Sequence, residues 1–197
     1  MLSHSQLKSA YNRLIRLIPP QLLTIALIGG SSVWIGLSFL AYTSGPVGTV
    51  KFYSKISDTE GNFTGVLADL DTFGLAVTSL NDLDGDGITD LAVGSGDEGT
   101  TYGAVWILFM NTNGTVRAYQ KISQTEGNFT GILNDGDGFG NSLANLNDLD
   151  GDGISDLAVG AYRDNDGGNS RGAIWILFMN ANGTVKSHQK ISNTHGS

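Results

Sequence analysis

Cysteine is absent from this sequence of 197 residues, which excludes disulfide bonds and thiolate metal sites. Proline is also scarce, with three residues, whereas glycine is abundant, with 28. Many glycines and few prolines indicate numerous tight turns between short strands and argue against a helical protein. The lack of cysteine does not identify the redox compartment, since metal ions can take the place of disulfides in exported proteins.

Acidic residues are missing from the first 57 positions, although five lysines and arginines occur there. Residues 58–197 hold all 19 acidic residues against six basic ones, which gives that part a net charge of −13. A segment this acidic repels a phosphate backbone, so nucleic acid is not expected as a partner. The acids are clustered, and this clustering favours cation sites over a general role in solubility.

A long uncharged run stands out near the N terminus. Residues 22–42 carry no charge and follow a basic segment, 1–21, that contains Lys8, Arg13 and Arg16. A helix of this length spans roughly 30 Å of hydrocarbon, and the positive flank predicts a cytoplasmic N terminus and an exported remainder. We therefore predict an apolar N-terminal helix that anchors the chain in a membrane. A cleaved signal peptide and a decayed β-strand are the alternatives.

The chain contains a tandem internal repeat. Residues 50–94 and 116–160 share 31 identities in 45 positions, at a spacing of 66 residues. The second copy has three extra residues beyond Gly160, and an insertion tolerated at one place indicates a surface loop. We divide the repeated region into repeat 1, residues 58–115, and repeat 2, residues 116–192.

Each repeat has the pattern of four β-strands. A continuous apolar run, AVWILFM in repeat 1 and AIWILFM in repeat 2, is too short for a buried helix and predicts a central strand. An Asn-Gly turn signal and an alternating segment follow, as expected for a half-exposed outer strand. One further strand begins at a Phe-Gly pair, and another begins after an acidic loop. Four antiparallel strands in a repeat of this length predict an all-β fold built from β-propeller blades. The residues concerned are 104–110 and 173–179 for the apolar runs, Asn113-Gly114 and Asn182-Gly183 for the turns, and Phe73-Gly74 and Phe139-Gly140 for the pairs.

Residues 46–57 are similar to the end of a further repeat. The segment TVKFYSKIS at 49–57 matches the alternating segment TVRAYQKI at 115–122, so we predict the outer strand of a preceding blade. Two blades cannot close a ring, which usually needs about four to eight. We therefore predict an incomplete propeller, either as a fragment of a longer protein or as a chain that assembles with further blades or with copies of itself.

The densest acidic clusters are two nine-residue loops, DLDGDGITD at 82–90 and DLDGDGISD at 148–156. Their aspartates occupy positions 1, 3, 5 and 9, where side chains on a curled loop can converge on one ion. Without a cation these carboxylates repel one another. Calcium accepts about six to eight oxygen ligands, whereas magnesium demands strict octahedral geometry. We predict two calcium sites, formed by the side chains of Asp82, Asp84, Asp86 and Asp90 with the carbonyl of Ile88, and by those of Asp148, Asp150, Asp152 and Asp156 with the carbonyl of Ile154.

An EF-hand and a solvated acidic turn are the alternatives for these loops. An EF-hand needs a bidentate glutamate at position 12, but that position is Val93 in the first copy and Val159 in the second. A solvated turn does not explain why the loop recurs with the same aspartates in both repeats.

The order of these motifs resembles the FG-GAP repeat, the blade of the integrin α-subunit propeller. Repeat 2 has the FG pair, the acidic loop and a GAY segment at 160–162, whereas repeat 1 has GSG at 94–96 in place of that segment. The resemblance covers about residues 50–192 and implies calcium bound through the loop aspartates and the position-7 carbonyl. It also implies an extracellular role in adhesion or binding, with a protein or glycan ligand at the cell surface.

No catalytic set of residues is present in the sequence. The three histidines, His4, His188 and His195, are scattered and lack a metal-ligand partner at i+4. We therefore predict a protein that is not an enzyme, either membrane-anchored or secreted. The alternative function is an accessory, non-catalytic module of a secreted or surface hydrolase.

Three smaller expectations concern side chains outside the loops. His188 is predicted to lie on the surface of the outer strand of repeat 2. The three tryptophans, Trp34, Trp106 and Trp175, are predicted to pack between blades. A second group of acids is predicted to form exposed loops; it consists of Asp69 and Asp71 in repeat 1 and Asp135 and Asp137 in repeat 2.

Overall fold

The computed structural model describes residues 48–97 and 100–196, and these residues form eight β-strands and no helix. No helix in this part of the chain is long and apolar enough to cross a membrane. The predicted basic segment at 1–21 and the predicted membrane helix at 22–42 lie outside the described residues. The all-β prediction is confirmed for the described part.

Repeat 1 forms an antiparallel sheet of four strands in sequence order. The strands are β1 (Ala76–Ser79), β2 (Leu91–Asp97), β3 (Thr100–Met110) and β4 (Val116–Ile122). Because β4 lies in the range first assigned to repeat 2, repeat 1 denotes residues 58–122 from here on, and repeat 2 denotes residues 123–192. The predicted apolar run at 104–110 lies within β3, and each of its seven residues is buried. A strand buried on both faces accommodates a continuous apolar run, whereas a strand with one solvated face would show alternation.

Repeat 2 repeats this arrangement with β5 (Phe139–Asn147), β6 (Asp156–Ala161), β7 (Ala173–Met179) and β8 (Val185–Ile191). The two sheets meet at a single parallel pairing, between Gly103 of β3 and Phe139 of β5. Each repeat is therefore a four-stranded antiparallel unit, as predicted, and among the described residues strand pairing between the two units is limited to this one bridge.

The segment that precedes each sheet is attached to the last strand of that sheet. In repeat 1 the backbone N–H of Val116 donates to the carbonyl of Gly61 at 2.8 Å, and in repeat 2 Val185 donates to Gly127 at 2.9 Å. The chain then places Phe63 against Trp106 in the first sheet and Phe129 against Trp175 in the second. In both pairs the rings meet edge to face. This attachment holds the segment before each sheet against the last strand of that sheet.

One core is shared by the two repeats. Val105 and Ile107, on one face of β3, belong to the same buried cluster as Trp175 and Leu177 of β7. The prediction that tryptophan packs between the repeats is confirmed for Trp175. Trp106 projects from the other face of β3 into a separate buried cluster that contains residues of repeat 1.

Glycines allow the two sheets to approach closely. A Cβ atom placed on Gly94 would lie 1.9 Å from the carbonyl oxygen of Gly140, and one on Gly103 would lie 2.0 Å from that of Phe139. Real Cβ atoms do not make contacts this short, so glycine is required at both positions. The Phe-Gly pair at 139–140 thus marks the contact between the two sheets.

The predicted outer strand at 46–57 is not observed as a strand. Residues 49–56 have no regular secondary structure, and the segment forms only an isolated bridge between Ser57 and Glu60. A strand needs a neighbouring strand for its hydrogen bonds, and none of the strands in the described residues pairs with this segment. Ser54 nonetheless lies next to the turn glycine Gly114, as Gln120 lies next to the matching Gly183.

Candidate metal centres

The two acidic loops occupy equivalent places in the two sheets. The loop at 82–90 connects β1 to β2, and the loop at 148–156 connects β5 to β6. Each begins after an asparagine in the left-handed region, Asn81 with φ 56° and Asn147 with φ 55°. Asparagine tolerates this conformation because its side chain can bond to nearby backbone groups. The first strand therefore ends in the same way in both repeats.

The first aspartate of each loop curls the backbone around its own carboxylate. Asp82 Oδ2 accepts a hydrogen bond from the N–H of Gly87 at 2.9 Å. Asp148 accepts three, from Gly151 at 2.7 Å, Asp152 at 2.9 Å and Gly153 at 2.9 Å. These bonds bring positions 3 and 5 of each loop to the side on which the first carboxylate lies.

The last aspartate of each loop is fully buried and fastens the loop to the sheet. Asp90 accepts hydrogen bonds from the N–H groups of Leu83 and Met110, both at 3.0 Å. Asp156 accepts the matching bonds from Leu149 at 2.9 Å and from Met179 at 3.0 Å. One carboxylate thus joins the start of the loop to the end of the central strand in each repeat.

Three carboxylates converge in each loop, but the sets differ. Oxygen atoms of Asp82, Asp84 and Asp86 lie within 4.8 Å of one another in repeat 1. In repeat 2 the corresponding group consists of Asp148, Asp150 and Asp156. The ninth-position Asp90 in repeat 1 and the fifth-position Asp152 in repeat 2 lie outside these groups, although the sequence predicts all four aspartates of each loop as ligands.

A buried oxygen atom without a hydrogen-bond partner lies in the first loop. Asp84 Oδ1 has almost no solvent contact and accepts no hydrogen bond from any described residue. Burying a carboxylate oxygen without a partner is costly, and a cation removes that cost. The donors gathered here are all oxygens, which suits a hard divalent cation better than a transition metal.

The isoleucines at position 7 of the loops anchor them by apolar contact. Ile88 is half-buried against the Trp106 cluster, and Ile154 is half-buried against the core shared by the repeats. Their side chains therefore pack inward. This inward packing holds the middle of each loop against the sheet.

A basic side chain from the outer strand reaches each acidic loop, and the sequence reasoning missed both. Arg117 of β4 pairs with Asp84 and lies 2.9 Å from Asp86. Lys186 of β8 pairs with Asp152 and lies 2.5 Å from Asp150. The signal was present in the repeat, because each basic residue directly follows the Thr-Val pair after the Asn-Gly turn.

These contacts shift the acid–base properties of the groups involved. The hydrogen bond from Lys186 holds the pKa of Asp152 below the ordinary aspartate value. Hydrogen bonds to Asp150 and Asp152 raise the pKa of Lys186, and the hydrogen bond to Asp84 raises the pKa of Arg117. Burial raises the pKa of Asp90, since that carboxylate is removed from water. Arg117 and Lys186 therefore each place a positive charge against the carboxylates of one loop.

The second acidic group differs from the predicted exposed loops. Asp69 and Asp135 are exposed as expected, but Asp71 and Asp137 are buried. Each buried carboxylate accepts a backbone hydrogen bond from three residues earlier, from Ala68 at 2.9 Å and from Asn134 at 2.7 Å. The sequence reasoning failed here because a turn-capping aspartate and a solvated one look alike in a glycine-rich loop.

Repeat 2 has a further ion pair in its longer loop. Lys190 of β8 lies 2.7 Å from the buried Asp164 and 2.8 Å from Asp166. His195 lies 2.9 Å from the same Asp166 carboxylate. A lysine already lies between these two carboxylates, so the cluster has its own positive charge.

His188 is more enclosed than a plain surface residue. Its ring is half-buried and contacts the rings of Phe129 and Trp175 at centroid distances of 5.1 and 5.3 Å. Burial lowers its pKa. Tyr119 occupies the matching position in repeat 1 and contacts Phe63 and Trp106 in the same way.

A protein-family model named FG-GAP repeat matches the chain twice, at residues 73–108 and 139–177. Each match begins at a Phe-Gly pair, includes the acidic loop and ends within the central strand of the sheet. The two matches therefore coincide with the two structural units that contain the candidate metal centres.

Curated relatives with similar sequences are integrin alpha chains. Integrin alpha-2 of Mus musculus is 41% identical over 91 residues, which cover 45% of this chain and 7% of that protein. Integrin alpha-4 of Xenopus laevis is 34% identical over 90 residues, which cover 46% of this chain and 8% of that protein. Integrin alpha-PS2 of Drosophila melanogaster is 40% identical over 93 residues, which cover 46% of this chain and 6% of that protein. The chain thus spans less than a tenth of the length of these relatives.

Proposed function

The chain carries two FG-GAP repeats, and from this premise we propose that it is a calcium-binding β-propeller repeat protein with a non-catalytic role in adhesion or binding outside the cell. Its similarity to integrin alpha chains supports a module that recognises a protein or glycan ligand at a cell surface. In this proposal the repeats are propeller blades and the acidic loops are their calcium sites.

The observation that carries the calcium proposal is the convergence of three carboxylates in each loop. In the first loop, Asp84 Oδ1 is also buried without a hydrogen-bond partner. The side chains proposed to hold the two ions are those of Asp82, Asp84, Asp86 and Asp90, and of Asp148, Asp150, Asp152 and Asp156. The carbonyls of Ile88 and Ile154 complete the proposed ligand sets. When bound, calcium supplies the positive charge that offsets the repulsion between these carboxylates.

The proposed role of each site is structural. Asp90 and Asp156 already tie the loop to the sheet through two backbone hydrogen bonds each. The aspartates at positions 1, 3 and 5 lie on the outer part of the loop, where Arg117 or Lys186 of the outer strand pairs with those at positions 3 and 5. Coordination would join these outer aspartates to the fixed one, so that the first two strands of each blade are held together.

The proposed location follows from the N-terminal segment. Residues 22–42 are proposed to anchor the chain in a membrane or to direct its export, with the repeats on the extracytoplasmic side. Extracellular calcium modules often bind with dissociation constants of about 10⁻⁴–10⁻³ M, which match sites made mainly of exposed carboxylates.

Thermal unfolding of the full chain with calcium and with EDTA tests the proposal. We expect a higher melting temperature in calcium, and no such difference for the double variant Asp84→Asn, Asp150→Asn, because a carboxylate common to both clusters is lost from each site. Asp69→Asn is the matched control, since Asp69 is an exposed aspartate outside the loops and should leave the shift intact. Equal melting temperatures of the unmodified chain in calcium and in EDTA would contradict a structural role for calcium.

A further inference from the structure

The two acidic loops are linked by side-chain hydrogen bonds across the contact between the repeats. Asn81, which directly precedes the first loop, donates from Nδ2 to Ser155 Oγ at 3.0 Å and to Asn147 Oδ1 at 3.3 Å. Ser155 is the buried residue at position 8 of the second loop, and Asn147 directly precedes that loop. One asparagine side chain therefore joins the start of the first loop to both ends of the second.

An apolar contact joins the same parts of the two loops. Leu83, at position 2 of the first loop, is buried in the core that the repeats share, and Ile154, at position 7 of the second loop, packs against that core. Their counterparts do not meet in this way, because Ile88 packs against the Trp106 cluster and Leu149 is 55% exposed. The contact between the repeats thus involves the start of the first loop and the end of the second.

The linked residues are next to proposed calcium ligands in both loops. Asn81 precedes the first aspartate of its loop, and its backbone carbonyl accepts a hydrogen bond from the N–H of Asp90 at 2.6 Å. Ser155 lies between Ile154 and Asp156, and the carbonyl of the former and the carboxylate of the latter are proposed ligands of the second ion. A change that fixes Ser155 in place therefore also fixes the acceptor of the Asn81 side chain.

We propose that Asn81 couples the two calcium sites, so that binding at either loop raises the calcium affinity of the other. When an ion at the second loop restricts Ser155, the hydrogen bond from Asn81 costs less conformational entropy, and the first loop is already partly ordered. The coupling is reciprocal, because the free energy gained is the same whichever loop fills first. This inference rests on the proposed function, which makes both loops calcium sites, and Asn81 acts in it as a positioning residue.

The coupling is measured by isothermal titration calorimetry of the full chain with calcium. Asp84→Asn leaves the second loop as a site, Asp150→Asn leaves the first, and the unmodified chain gives the product of both binding steps. That product should exceed the product of the two single-loop association constants by about twofold to tenfold, the effect of one side-chain hydrogen bond. Because each single-loop constant is divided out, this coupling factor does not respond to a variant that only weakens one loop.

Asn81→Gly removes the linking side chain and should abolish the coupling, so that the two loops bind calcium independently. Glycine is the suitable replacement because residue 81 has φ 56°, a left-handed conformation that glycine adopts without strain. Asn62→Gly is the matched control, since Asn62 has φ 59° and donates from Nδ2 to the carbonyl of Val116 at 2.8 Å, a bond within repeat 1. This control should keep the coupling factor of the unmodified chain.

Ser155→Ala tests the acceptor side of the same contact. It removes the nearer of the two acceptors and should reduce the coupling factor. Combined with Asn81→Gly it should cause no further loss of coupling, because both changes remove the same interaction. A further loss in the double variant would contradict the assignment to this pair.

Hydrogen exchange gives a second readout, on the first loop itself. In Asp84→Asn only the second loop is expected to bind calcium, yet calcium should slow amide exchange in the first loop, including that of Gly87, whose N–H donates to Asp82. Adding Asn81→Gly should remove this protection, and adding Asn62→Gly should not. Exchange that calcium leaves unchanged in the first loop would overturn the ordering that carries the coupling.

The titrations also separate this inference from the proposed function. Two bound ions without coupling in the unmodified chain would overturn the inference and leave both calcium sites. Coupling that persists in Asn81→Gly would overturn the role of Asn81. A chain that binds no calcium would overturn the inference together with the proposed function.

Discussion

Repeat 1 and repeat 2 have nearly the same residues on their sheets, but they differ in what covers those residues. Ile122 and Ile191 are the same residue type at the same strand position, and only the first is buried by a neighbouring sheet. The acidic loops show a second contrast, since the guanidinium of Arg117 pairs with the first loop and the ammonium of Lys186 pairs with the second. Burial in this fold is therefore decided between repeats, whereas the loop geometry is decided within each repeat.

The largest expected effect concerns the buried aspartate that ends the acidic loop in both repeats. Asp90→Ala removes the acceptor of two buried N–H groups and should lower the free energy of unfolding by about 4 kcal/mol, with a similar loss for Asp156→Ala. Urea denaturation in EDTA measures both losses without any contribution from calcium. A loss confined to one of the two variants would break the equivalence of the loops. Asn at either position keeps one acceptor oxygen and should recover part of the loss.

The next effect separates the repeats. Ile122→Ala should cost about 3 kcal/mol because it leaves a cavity in the core shared by the sheets. Ile191→Ala should cost less than about 1 kcal/mol, since Ile191 is already in contact with water. Both costs are compared by urea denaturation of single variants of the full chain. Equal costs would contradict the difference in burial between Ile122 and Ile191.

A smaller effect is expected from the tethered cations. Arg117→Met and Lys186→Met each remove a positive charge from a loop and should increase calcium affinity at that loop by about twofold to tenfold. Isothermal titration calorimetry measures the affinity, with Lys55→Met as the control because Lys55 pairs with Glu60 and not with a loop aspartate. A double variant, Arg117→Lys with Lys186→Arg, exchanges the two basic side chains between the loops. If these side chains cause a difference in calcium affinity between the loops, the double variant should reverse that difference. Unchanged affinities would show that these pairs do not oppose calcium.

The smallest effect depends on pH and concerns Tyr119 and its counterpart His188. Burial lowers the pKa of His188 from its ordinary value of 6.5, so the unfolded chain binds the proton more readily than the folded chain does. The stability that comes from neutral His188 is present above pH 6.5 and is lost as the pH falls through the folded-state pKa. His188→Tyr, which copies repeat 1, should remove this component from the unfolding free energy between pH 5 and 7, a range of about two units around the histidine pKa. Parallel pH profiles for variant and parent would contradict it.

Much of the local structure could be predicted from the sequence. The continuous apolar run at 104–110, the turn at Asn113-Gly114 and the acidic loop each depend on residues that are close in the chain. The Asp84–Arg117 pair was missed because it joins residues that are distant in the chain, although a basic residue recurs at this position in both repeats. The burial of Asp71 depends on a cap within one turn, which the glycine-rich pattern does not distinguish from a solvated loop.

The predicted strand at 46–57 shows a different limit of the sequence pattern. Its alternation matches that of β4, but β4 is a strand because β3 lies beside it, through pairs such as Leu108 with Tyr119. No strand lies beside residues 49–56 in the described chain, so the same pattern remains without regular structure. A strand pattern is therefore sufficient only where the fold supplies a partner.

Calcium stoichiometry is the most direct test of the central claim, that both acidic loops are calcium sites. Equilibrium dialysis of the full chain at millimolar calcium, a range of about 10⁻³ M suited to extracellular modules, should give two ions per chain. Asp84→Asn should reduce this to one ion, Asp150→Asn should do the same, and the two together should abolish binding. Fewer than two ions bound to the unmodified chain at saturation, or two ions still bound to the double variant, would contradict the account.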